Sequence, residues 1–250
     1  MTISNGSREA AAALLAIALA IASWWFLPHA DPADYAKFAD DPFNARNVYS
    51  NAGFLIAGIA GLCFRRVRAD AAALTLFVAL IATSFGSAYF HLRPVTADGA
   101  INRWTLLWDR LPMTFAFAGM ITLVLQDRVR RVHGAVLPVV AAIGVATVFY
   151  WFLSRSHDLF PYALFQLFAP AGTLLMITIL RPRFTEAGYV VAAVFLFGMA
   201  KAFEDLDDGI FARWHIGGHP LKHITGALAA AMILLWLTKR SAIPHEPKSH

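Results

Sequence analysis

Eight runs of about twenty residues, apolar within and charged only at their edges, follow one another along this chain with little between them. A hydrocarbon core about 30 Å thick takes about 20 residues of helix per crossing. Backbone polar groups must be satisfied internally in lipid, so such runs fold as helices. They lie near residues 9–28, 47–64, 71–91, 104–126, 134–153, 160–180, 187–203 and 219–238. Only 15% of the residues are charged and 58% are hydrophobic, against about 25% charged in an ordinary soluble domain. The pattern predicts an all-α, polytopic transmembrane helical bundle, one domain over residues 1–250. Short connections at 65–70, 127–133 and 181–186 make consecutive helices antiparallel neighbours. Residues 9–28 read either as an extra N-terminal span or as a signal, since Arg8 precedes the apolar stretch.

Net charge is +5, and its distribution follows topology rather than nucleic-acid binding. With a cytoplasmic N-terminus, the inner segments hold Arg8, Arg65, Arg66, Arg68, Arg128, Arg130, Arg131, Arg181, Arg183, Lys239, Arg240 and Lys248. The outer segments hold half as many: Lys37, Arg46, Arg93, Arg103, Arg155 and Arg213. The positive-inside rule therefore predicts that both termini are cytoplasmic. A multi-pass protein of a bacterial inner (plasma) membrane is the expected setting. Acidic residues gather on the outer side, at Asp31, Asp34, Asp40 and Asp41 and again at Glu204, Asp205, Asp207 and Asp208. Cys63 is the only cysteine, which rules out an intramolecular disulfide and a thiolate metal site.

Ionisable residues inside a membrane are costly and mark function by default. His91 closes the third run, Asp109 lies one turn into the fourth, and His219 and His223 open the eighth. Alternate threading brings all four to the outer end of the bundle. His219 and His223 are i and i+4, on one helix face, and Ser87 and His91 repeat that relation. Pro220, behind Gly217 and Gly218, suits the first turn of a helix. Three imidazoles with an open fourth position describe a catalytic zinc site, and Asp109 is the nearest spare carboxylate. Each residue also has a plainer reading. Isolated histidines at span ends are commonly interfacial, Ser87 alone suits helix packing, and Trp104 with Trp108 suits an aromatic belt. His215 is a rival ligand better read as solvated, and Lys222 has no assigned role beyond snorkelling to the surface.

Taken together, Tyr35 with Phe38-Ala39-Asp40, Asn47-Val48 with Ser50-Asn51, Ser87-x-x-x-His91, Trp108-Asp109-Arg110-Leu111-Pro112-Met113 and His219-x-x-Lys222-His223 resemble the alkaline ceramidase family. That family belongs to a wider superfamily of membrane hydrolases that includes the adiponectin-type receptors. The motifs run from about residue 35 to residue 231. The resemblance implies a seven-helix core, here 47–238, with intramembrane zinc on His91, His219 and His223 and with Ser87 and Asp109 as catalytic neighbours. It also implies hydrolysis of ceramide or a related N-acyl lipid to a fatty acid and a sphingoid base. Two departures stand out. The run at 9–28 precedes the seven that match, and Asn44 stands where the eukaryotic members carry a calcium-site Glu. Asp31, Asp34, Asp40 and Asp41 leave calcium open without a ligand pattern.

On this reading Asp109 takes the water proton as general base and returns it to the leaving amine, while zinc and the Ser87 hydroxyl stabilise the oxyanion. The partners expected are a lipid amide and the surrounding membrane lipids. Rival expectations are a superfamily receptor with little turnover, a proton-coupled transporter relaying through Asp109 and the histidines, and a b-type haem carrier. Haem wants axial ligands from opposite sides, whereas His219 and His223 share a face.

Overall fold

The computed structural model describes residues 44–129, 132–154, 156 and 158–244, together with Ala11, Leu14, Leu15 and Ala18. The acidic stretch from Asp31 to Asp41, the motif at Tyr35 to Asp40 and most of the first apolar run lie outside the described residues. So does any test of calcium at that stretch.

Among the described residues ten helices follow in order: α1 (Asn44–Ser50), α2 (Ala52–Cys63), α3 (Arg65–Arg68), α4 (Ala71–Leu92), α5 (Arg103–Arg128), α6 (Val136–Leu153), α7 (Phe160–Ile179), α8 (Ala187–Asp205), α9 (Asp207–Trp214) and α10 (Gly218–Lys239). Among the described residues there is no strand beyond two isolated bridges. Five helices among the described residues, α4, α6, α7, α8 and α10, are long and apolar enough to cross a membrane, which makes this a multi-pass helical membrane protein. Of the three remaining expected runs, the two that lie in the described residues differ from those five for local reasons. Helix α5 has 26 residues but carries Asp109, Arg110, Asp127 and Arg128. The run at 47–64 divides at Asn51 into α1 and α2, although Asn51 keeps a helical backbone.

The helix starts follow from side-chain caps. Asp70 Oδ1 accepts from the amides of Ala72 and Ala73, opening α4. Asn102 caps α5 through the amide of Thr105. The Thr105 hydroxyl reaches back to the carbonyl of Arg93, tying the start of α5 to the end of α4. These two helices form the most extensive packing pair. Helices α2, α4, α5, α7, α8 and α10 then close into a ring, each packed on the next, with α6 outside against α5 and α7.

Close approach within the ring relies on glycine. A Cβ on Gly86 would lie 2.0 Å from the carbonyl oxygen of Trp108. Pro112, four residues further on, has no N–H to offer that carbonyl. The freed oxygen therefore rests against the bare Cα face of Gly86, a contact of the kind that recurs where helices meet closely.

The end of the bundle remote from the histidines is basic and tightly bonded. Arg128 pairs with Asp127 at 2.8 Å and donates to the carbonyl of Leu180. Arg183 donates to the carbonyls of Gln126 and Val129. The amide of Phe184 donates to Asp127, and Arg66 reaches the carbonyl of Thr238. The guanidinium of Arg240 stacks on Trp236 and Phe184, 4.4 Å from each ring centre. Basic segments that charge counting grouped on one side thus meet at one end.

Gly86→Ala should force α4 and α5 apart and cost about 1–3 kcal/mol, read as a lowered Tm in detergent. Gly198→Ala, where an added Cβ meets nothing within 4 Å, should raise Tm slightly through helix propensity. Equal behaviour of the two variants would contradict the packing described.

Candidate metal centre

Helix α10 begins with a constrained entry. Gly217 has extended backbone, and the Asp207 carboxylate, from the first turn of α9, accepts from the amide of His219 at 2.7 Å. A Cβ on Gly218 would lie 2.0 Å from the carbonyl oxygen of Phe203. Glycine is therefore required for α10 to seat against α8. Pro220 then continues the first turn, where its missing N–H is no loss. Cap, glycine and proline together fix the rotation of α10 and so the direction of His219 and, one turn later, His223.

Both histidines point at His91 near the C-terminal end of α4. All three are buried, at 1%, 3% and 3% exposure for His91, His219 and His223. Each offers one ring nitrogen such that the three atoms lie within 4.8 Å of one another. The Nε2 atoms of His91 and His219 are 3.0 Å apart. Two ligand nitrogens of a tetrahedral site with bonds of about 2.0–2.1 Å are about 3.3 Å apart, so the pair sits near coordination distance. Ser50, at the end of α1, lies 2.7 Å from Nδ1 of His223. That contact engages one ring nitrogen and leaves Nε2 as the ligand atom, as partners of metal-binding histidines commonly do. Three buried imidazoles, with no thiolate near, fit a metal ion of borderline softness.

A cavity of about 30 Å³ lies against this triad, with Ser87, Asp109, Arg110 and Lys222 in its wall. Asp109 is buried and is the only carboxylate in that wall among the described residues. Arg110 sits 3.6 Å from Asp109 and lies over the ring of Tyr162. Ser87 is buried one turn before His91. A larger cavity of about 140 Å³, almost wholly apolar, lies within the helix ring and shares Phe54, Thr83, Met113 and Lys222 with the first.

The structure thus brings together all five residues expected from the sequence: His91, His219, His223, Ser87 and Asp109. His215 stands apart. It is exposed, in left-handed backbone at φ 54°, and its carbonyl accepts from Arg46. Trp104 and Trp108 stack edge to face and are both exposed.

Lys222 corrects its sequence reading. It does not snorkel to the surface; its ammonium is held in a part-buried ion pair with Glu204 of α8, which also pairs with Lys201. Glu204 belongs to the last turn of α8 and is buried, not part of an exposed outer loop. Ser50 belongs to the Ser50-Asn51 motif, and the structure joins its hydroxyl to His223. No spacing rule reaches that pair, which is 173 residues apart.

His219→Ala or His223→Ala should abolish binding of a divalent transition metal, measured by elemental analysis of the purified protein. Ser50→Ala should keep the site but weaken it about 10–100-fold in metal competition; unchanged affinity would remove Ser50 from the site. Compared with family models, curated proteins and solved structures, the chain matches none.

Proposed function

We propose that this chain is a zinc-dependent intramembrane amidase that hydrolyses ceramide or a related N-acyl lipid to a fatty acid and a sphingoid base. The carrying observation is a buried triad of imidazoles beside one carboxylate, at the head of an apolar cavity enclosed by helices. A water-activating centre beside hydrocarbon-lined space suits a substrate with a polar bond and a long chain. The resemblance to the alkaline ceramidase family, with its seven-helix core, supports the same reading. In this proposal α1 and α2 together make the first core span, α5 is a span despite its charges, and residues 9–28 add one more.

His91, His219 and His223 would hold the zinc, which when bound supplies Lewis acidity toward a water and a carbonyl. The protein's own groups do the rest. Asp109, held beside Arg110 and facing the cavity, accepts the proton of the attacking water. The Ser87 hydroxyl donates to the oxygen that gains charge as the carbonyl carbon becomes tetrahedral. The C–N bond breaks as Asp109 passes its proton to the leaving nitrogen, which gives a carboxylic acid and a free amine. Burial of the site strengthens each of these interactions by excluding water.

Orientation belongs to the same proposal. The basic end faces the cytoplasm with both termini, and the histidine end faces the outer side of a bacterial inner membrane.

Asp109→Asn should retain zinc while losing most turnover on labelled ceramide, and His223→Ala should lose both. Ser87→Ala should keep residual activity, with a barrier raised by about 2.7–4 kcal/mol. Release of fatty acid by the His223→Ala protein at the wild-type rate would sink the proposal. The assay runs across ceramide, phytoceramide and N-acyl amino acids to find the amide preferred.

A further inference from the structure

The two cavities share walls. Phe54, Thr83, Met113 and Lys222 line both, so they form a collar between the histidine centre and the apolar space. A lipid whose carbonyl lies at the histidines must pass the first carbons of its acyl chain through this collar. Two collar residues are apolar and two are polar, which is unexpected for a passage shaped only for methylenes.

Thr83 is the more telling of the polar pair. It is 3% exposed, and its Oγ1 has no hydrogen-bond partner among the described residues. A helical threonine ordinarily bonds the carbonyl three or four residues back, as Thr114, Thr178, Thr225 and Thr238 do here. Thr122 and Thr173 also lack a partner, but they line neither cavity. Thr83 lies one turn below Ser87 and two below His91 on α4, about 6 Å along the axis from Ser87. Lys222 faces the same collar with three donors, and Glu204 engages its ammonium. A plain hydrocarbon at this level leaves the Thr83 hydroxyl unsatisfied in a dry setting, which is costly.

We propose that Thr83 and Lys222 make the collar selective for acyl chains that carry a hydroxyl close to the carbonyl, so that hydroxyacyl lipids are preferred over plain acyl lipids. The chain hydroxyl finds both a donor and an acceptor in Thr83 Oγ1 and a further donor in Lys222 Nζ. A site built to bond a substrate hydroxyl discriminates against the analogue lacking it far more strongly than an apolar pocket discriminates by size. The inference rests on the acyl-lipid reading of the site.

The test is displacement of a fluorescent fatty acid from the purified, metal-loaded protein by fatty acids of one chain length, either plain or hydroxylated at the second or third carbon. The wild-type protein should bind at least one hydroxylated acid about tenfold more tightly than the plain acid. Thr83→Val should bring that ratio close to one, and Thr83→Ser should keep it. The valine variant should also melt no lower, since it removes an unsatisfied buried hydroxyl at nearly constant volume. A wild-type ratio near one overturns the proposal, as does a tenfold ratio that survives in Thr83→Val. Displacement needs no turnover, so the two readings fail separately. Selective binding without release of fatty acid from any amide would retire the amidase and keep the collar; hydrolysis with equal binding of both acids would do the reverse.

Discussion

Three imidazoles can share one metal only if the helices that carry them are held at a fixed separation and rotation, and most of the histidine end serves that requirement. Helices α4 and α10 are not among the extensively packed pairs; α1 and α2 lie between them. The contact of His91 with His219 and His223 is therefore a side-chain bridge across a gap. Such a bridge tolerates little error. The Asp207 cap, the bare Cα of Gly218 and the hydroxyl of Ser50 all limit how α10 and its histidines can turn. Each is cheap alone, and together they over-determine the position of two rings.

Burial in lipid sets the second requirement, that every charge inside the ring find a partner. Glu204 answers Lys222 and Lys201, and Asp109 answers Arg110. A buried ion pair adds little stability by itself, but losing one partner leaves an uncompensated charge. The pairs thus act as constraints of rotation: α8 cannot turn without carrying Glu204 away from α10. At the opposite end, Asp127 with Arg128, Arg183 and Arg240 performs the same service for α5, α7 and α10. The ring is locked by polar contacts at both ends and filled by apolar space between them.

Much of this was legible in the sequence, and what was not has a physical reason. Helices declare themselves through run length, and a lone charge inside a run stands out, so His91, Asp109, His219 and His223 could be named and sent to one end by counting crossings. Ser87 followed from the period of the helix. Partners joined across the bundle are a different matter. Glu204 read as one more acid in an outer loop because hydropathy does not say where a helix stops, and α8 continues to Asp205. Lys222 read as a surface lysine because its pair is made with another helix. Ser50 stood in a motif without a task, since only rotation of α1 against α10 brings it to His223. The contact between Gly86 and the Trp108 carbonyl needed both helices in place before Pro112 acquired its meaning.

Helix α1 has seven residues and is fastened at both ends. Ser50 holds the imidazole of His223, while Arg46 holds the carbonyl of His215, just ahead of the α10 entry. At its far end the adjoining Asn51 carbonyl accepts from Ser84 of α4. This makes α1 a strut that spans the two sides of the histidine bridge. Because it is a single stiff piece, a displacement of α1 would reach the ring of His223 and the seat of α10 in the same movement.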